Sequence, residues 1–110
     1  MKVISFFILA VYYIYILFSS KSDKYYIGYT SDVLRRFDEH NNPSSLSKYT
    51  SKHIPWEMKL YFEVSYNRGE AIKVERFIKN QKSRVFLERL IAEKKYSNYF
   101  KSLVENILKK

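Results

Sequence analysis

Five side chains have the types and spacing to do chemistry together. Tyr15 and Tyr26 lie in the run Y-I-Y-I-L-F-S-S-K-S-D-K-Y-Y-I-G-Y-T. Two phenols on neighbouring strands make a pair of proton donors and acceptors, and Gly28 lets a backbone or ligand approach closely. Downstream, Arg36 and His40 are four apart, so a helix presents a permanent cation and a titratable imidazole on one side. Glu75 is the fifth. Ala71, Ile72, Val74 and Ile78 define an apolar stripe at about 100° per residue. Glu75 falls inside that arc rather than with Lys73, Arg76 and Lys79. A carboxylate on an apolar face calls for an ion pair, hydrogen bonds or a metal. Each group also has a plainer reading: a hairpin that only packs, a solvated arginine, a surface histidine, a glutamate on the stripe's margin.

The elements that must position these groups follow from local pattern. Tyr12–Ser19 is rich in β-branched and aromatic residues and reads as a strand, and Ser, Asp and Lys behind it read as a turn. An even loop, such as Ser20 to Asp23, puts Tyr15 and Tyr26 on one face, whereas an odd loop separates them. Ser31 or Asp32 caps a helix whose buried stripe is Val33, Leu34 and Phe37, and Asn41-Asn42-Pro43 stops it. Ser44 to Pro55 is a polar loop. Lys48, Tyr49 and Lys52 within it, with Arg35 and Lys79, suit a phosphate backbone and a stacked base; a charged loop without a role fits them equally. Trp56–Ser65 is a third strand, with Met58, Leu60, Phe62 and Val64 alternating. After a turn at Asn67-Arg68-Gly69, helices are expected over Glu70–Gln81 and Ser83–Lys95. The latter is capped by Ser83 and packs through Phe86/Leu90 and Leu87/Ile91. Ser97–Lys109 forms a further amphipathic helix.

Composition sets the limits. A chain of 110 residues suits one domain, and a formal net charge of +9 suggests a polyanionic partner, nucleic acid or an anionic membrane. With no cysteine there is no disulfide, thiolate metal site or thiol nucleophile. Val3 to Phe18 is apolar enough to resemble a signal-peptide core, but no small-residue cleavage site follows and cleavage would remove the first strand. Residues 1–11 are therefore read as an apolar N-terminal extension, residues 12–92 as the domain proper, and residues 93–110 as a basic amphipathic C-terminal helix. That helix suits docking on the domain, a dimer surface or a membrane. No Walker loop, dinucleotide fingerprint or HExxH motif is present.

Taken in order, Y-I-Y, Y-I-G, R-R-x-x-E-H-N, E-A-x-x-x-E and I-K-x-x-K-S-R resemble the GIY-YIG nuclease superfamily, in particular small stand-alone bacterial members similar to the endonuclease domain of the bacterial excision-repair nuclease. The resemblance spans roughly Tyr12 to Ile91. It implies an α+β fold, a three-stranded antiparallel β-sheet flanked by helices. The implied order is β-β-α-β-α-α, the order read above from local pattern, to which the C-terminal helix is added. It implies phosphodiester hydrolysis with Tyr15, Tyr26, Arg36, His40 and Glu75 as catalytic residues. Glu75 would hold one Mg²⁺ or Mn²⁺, and a tyrosine with its pKa lowered by nearby positive charge would deprotonate water. Arg36 would stabilise charge on the phosphate, and His40 would orient a tyrosine or relay a proton. Tyr13 replaces the first glycine of the motif, and Tyr29 stands where some members carry lysine. The expected protein is a cytoplasmic, metal-dependent DNA endonuclease of structure-directed repair or processing. It would use no small-molecule cofactor, and a protein partner is a candidate for targeting. The alternatives are a non-catalytic nucleic-acid-binding module of the same fold, and a membrane-tethered protein.

Overall fold

The β-rich start of the chain folds back on itself: Tyr12–Ser19 (β1) and Lys24–Thr30 (β2) pair antiparallel across the four-residue connection Ser20 to Asp23. The even loop is the one that keeps both motif tyrosines on one face. Asp23 closes it with φ 55, a left-handed conformation that aspartate tolerates. The computed structural model describes residues 9–44 and 48–110. The remaining elements are α1 (Val33–His40), α2 (Lys48–Ser51), β3 (Trp56–Ser65), α3 (Arg68–Asn80), α4 (Arg84–Ala92) and α5 (Ser97–Lys109). β1 is the central strand of a sheet ordered β2-β1-β3, so the expected α+β architecture and element order are observed.

The two sheet faces carry separate apolar clusters. On one, Ile14, Ile16, Leu60 and Phe62 pack against Val74 and Ile78 of α3, Leu87 and Leu90 of α4, and Phe100, Val104 and Ile107 of α5. On the other, Tyr15, Leu17 and Trp56 pack with Tyr26, Phe37, Ile54 and Met58. Met58 departs from the simple alternation expected along β3. Ile16 pairs with Leu60 but Leu17 pairs with Met58, so Lys59 is the extra residue of a bulge. The bulge shifts the parity and carries Met58 and Trp56 to the second face.

Other local expectations are corrected by tertiary context. Leu34 is 77% exposed, because α1 rests on the sheet through Phe37 and His40 rather than through the Val33-Leu34 side. The polar stretch before β3 contains the single helical turn α2. Asn67 is no turn residue but an N-cap, accepting from the Glu70 backbone N–H, so α3 begins at Arg68. The helix expected to run to Lys95 ends at Ala92. The α5 helix joins the main core, with Phe100 stacked on Phe62 at 4.7 Å between ring centroids. Most of the expected N-terminal extension lies outside the described residues, as do residues 45–47. No described helix is long and apolar enough to cross a membrane.

Because α5 contributes its largest buried side chain to the sheet's own core, Phe100→Ala is expected to cost the whole domain about 3–5 kcal/mol. Urea denaturation followed by circular dichroism should show one shifted transition. A separate early transition would mean that α5 folds apart from the sheet.

Candidate active site

The site starts from a backbone position without a side chain. In the β1–β2 register Tyr15 lies opposite Gly28, and Tyr26 is two pairs along, opposite Leu17 and so on the same face. The Tyr15 ring folds across the glycine. A Cβ at position 28 would collide with Tyr15 Oη and Cζ and stand 2.8 Å from its Cε2. The requirement for glycine is therefore close approach. Tyr26 lies diagonally beside Tyr15, ring centroids 6.3 Å apart.

Helix α1 brings the second layer. Asp32 caps it by accepting from Arg35 N, and its far end is clamped to β3. The Asn41 side chain accepts from Trp56 N at 2.7 Å and donates to Trp56 O at 3.1 Å. That clamp holds His40 in the interior, 0% exposed, where Nε2 is 2.8 Å from Tyr15 Oη. The imidazole also lies 4.7 Å from the Tyr26 ring. Burial, reinforced by the Arg36 cation, lowers the pKa of His40 to about 4. Burial also raises that of Tyr15, with the neighbouring Tyr26 adding to it and Arg36 opposing. Near neutral pH the pair is thus an uncharged imidazole and a protonated phenol. The phenol is the stronger donor, so Tyr15 gives its O–H to Nε2 and the ring proton sits on Nδ1. That buried nitrogen has no hydrogen-bond partner among the described residues.

Tyr15, Tyr26, Arg36 and Glu75 all line one open, mainly polar cleft of about 560 Å³, with Gly28 and Arg35 in its wall. His40 stands directly behind, one hydrogen bond from Tyr15. The five expected catalytic residues are brought together. Glu75 is only 16% exposed, and the partner its position called for is Lys79, one turn on, with Oε1 3.1 Å from Nζ. Lys79 and Arg35 also line the cleft. Tyr49 is half exposed beside Tyr26, ring centroids 6.4 Å apart. Lys48 and Lys52 are exposed around α2 and do not belong to the cleft lining. Sequence reasoning passed over Glu39, which holds Arg36 Nη1 at 2.9 Å and lines the same cleft. Its i,i+3 spacing from Arg36 was the available signal. Tyr12 and Tyr29, also in the lining, carried no such signal.

Among the described residues no cluster of three or more His, Asp or Glu side chains forms a ready metal cage. Magnesium and manganese do not need one. A hard cation keeps several waters and binds through one or two carboxylates plus substrate phosphates. Glu75 in a roomy polar cleft fits that mode, so it is the residue here that could hold such an ion.

A family model described as the GIY-YIG catalytic domain matches residues 11–89. A UPF0213 protein of Streptococcus pneumoniae is 34% identical over 70 residues, covering 64% of this chain and 68% of the relative. A UPF0213 protein of Streptococcus agalactiae is 39% identical over 72 residues, 66% and 77% of the two chains. One from Listeria monocytogenes is 42% identical over 64 residues, 58% and 68%.

The buried imidazole predicts a pH dependence of stability. Unfolded, His40 takes a proton near pH 6.5, but folded only near 4. Its folded pKa is depressed, so the unfolded state binds more protons between those values and stability falls as pH drops through them. Urea midpoints measured from pH 7 to 4 should decline in the wild type, and this component should vanish in His40→Gln. Equal slopes in both proteins would contradict the assignment.

Proposed function

The chain belongs to the GIY-YIG catalytic domain family, and from that premise we propose that it is a metal-dependent endonuclease hydrolysing phosphodiester bonds in DNA. The observation that carries the reading is the convergence of Tyr15, Tyr26, Arg36 and Glu75 on a single cleft, with the neutral His40 imidazole behind.

The chain's own groups divide the work by environment. Tyr15 is a poor base, because its phenol is buried, held protonated and committed to His40. The lowered pKa expected of one of the two motif tyrosines is therefore not that of Tyr15. Tyr26 is left to accept the proton of the attacking water, and Arg36 is the cation acting on both phenols. A free phenol is only about 0.1% ionised at pH 7, so a counter-charge beside Tyr26 is essential. Tyr15 and His40 fix the floor on which Tyr26 rests, and Arg36, steadied by Glu39, also faces charge developing on the phosphate. Glu75 would hold one Mg²⁺ or Mn²⁺, which when bound supplies Lewis-acid polarisation of the phosphate and leaving oxygen.

The same reading takes the substrate as structured DNA met during repair or processing in the cytoplasm. Target choice would come from nucleic-acid shape or a protein partner.

Branched, flapped and plain duplex DNA incubated with the protein and Mg²⁺ or Mn²⁺ should be cut, and EDTA should stop it. Glu75→Ala and Tyr26→Phe should each lose at least about 100-fold in rate. Binding without cutting by the wild type would leave a nucleic-acid-binding module instead, and undiminished cutting by Glu75→Ala would overturn the metal-holding role given to that residue.

A further inference from the structure

The cations lining the cleft are already matched. Arg36 is bound to Glu39, Arg35 lies 3.7 Å from both Asp32 and Glu39, and Lys79 is paired with Glu75. Three cations against two carboxylates in the lining give a polyanion little net attraction. Arg68, the first residue of α3, is held differently. Its Nε donates to Tyr29 Oη at 3.0 Å, and its Cζ stands 5.7 Å from the Tyr29 ring centroid. Tyr29 lines the cleft and is itself braced by the Tyr12 ring 6.4 Å away. Among the described residues Arg68 is held by these tyrosines and forms no ion pair with a carboxylate.

Such an arrangement fixes a guanidinium without neutralising it. Among the described residues only Nε has a partner, so both terminal nitrogens keep their N–H groups in the fork that matches two oxygens of a phosphate. A flexible exposed arginine loses much rotamer freedom on binding, and the Tyr29 anchor removes part of that cost beforehand. The side chain stands at the Tyr12–Tyr29 wall of the cleft, on the helix that also carries the Glu75–Lys79 pair.

We propose that Arg68, anchored on Tyr29, binds a backbone phosphate of the substrate strand next to the one positioned for cleavage. Arg68 is then a binding residue, and Tyr29 a positioning residue that acts through it. The inference rests on the nuclease reading for the identity of its ligand, a nucleic-acid phosphate, and its test does not require cutting.

The test is fluorescence anisotropy of a fluorescein-labelled forked DNA in EDTA, titrated with each variant over a range of salt concentrations. Arg68→Ala should weaken binding several-fold and reduce the salt slope by about one phosphate contact. Arg68→Lys should keep the slope but recover only part of the affinity. Tyr29→Phe, which keeps the ring but removes the hydrogen-bond acceptor, should fall between wild type and Arg68→Ala. Lys101→Ala, on α5 and away from the cleft, should bind as wild type does. An Arg68→Ala protein that melts like wild type and keeps its affinity and slope overturns the inference. So does an equal loss in Lys101→Ala, which would reduce the effect to overall charge. A wild type that binds no DNA overturns the nuclease reading as well, so the two failures are distinguishable.

Discussion

The Tyr15 ring lying across Gly28, with its hydroxyl on a buried His40, is the contact on which the rest of the site depends. It demands a glycine opposite Tyr15 in the register, an even hairpin loop to set that register, and a helix ending at the depth of the sheet. A buried hydroxyl or imidazole nitrogen left unpaired costs about 1–3 kcal/mol, so each of the two groups makes the other tolerable in the interior. The Asn41–Trp56 clamp has meaning in this light. It fixes the end of α1 to the start of β3 and so keeps the imidazole at the phenol.

Burial at this contact also separates two tyrosines that look equivalent in sequence. Tyr15 is withdrawn from water and bonded, and becomes part of the scaffold. Tyr26 remains half-buried in the cleft wall, ringed by His40, Trp56 and Tyr49. One phenol gives rigidity and the other access. At Tyr15 the Arg36 cation opposes the effect of burial, but burial outweighs it.

What was legible in the sequence was what repeats locally. The strand Tyr12–Ser19, the strand Trp56–Ser65 and the helix Ser97–Lys109 run as their apolar patterns indicate, and Glu75 stands out because it violates a stripe. What escaped was set by non-local geometry. The bulge at Lys59 leaves no mark in a strand that already alternates, yet it sends Met58 and Trp56 to the other face. Leu34 is exposed and His40 buried because α1 rests on the sheet through Phe37 and His40 rather than through its first turn. An eight-residue helix has too few turns for periodicity to reveal that. Asn67 read as a turn because a cap and a turn use the same side-chain acceptor.

The pairing of Glu75 with Lys79 sets a further constraint on the site. A carboxylate at 16% exposure needs a positive partner, and the lysine one turn away supplies it in the chain as it stands. A divalent ion on the same oxygens would take over that function, since its charge is double and its water shell satisfies the remaining acceptors. Lys79 would then be freed at the mouth of the cleft, where a phosphate arrives with the substrate. In this arrangement the ammonium would aim Glu75 before any ion binds and become an anion ligand afterwards. One i,i+4 pair would thus serve folding and substrate binding in turn, and its half-exposed lysine is placed for the exchange.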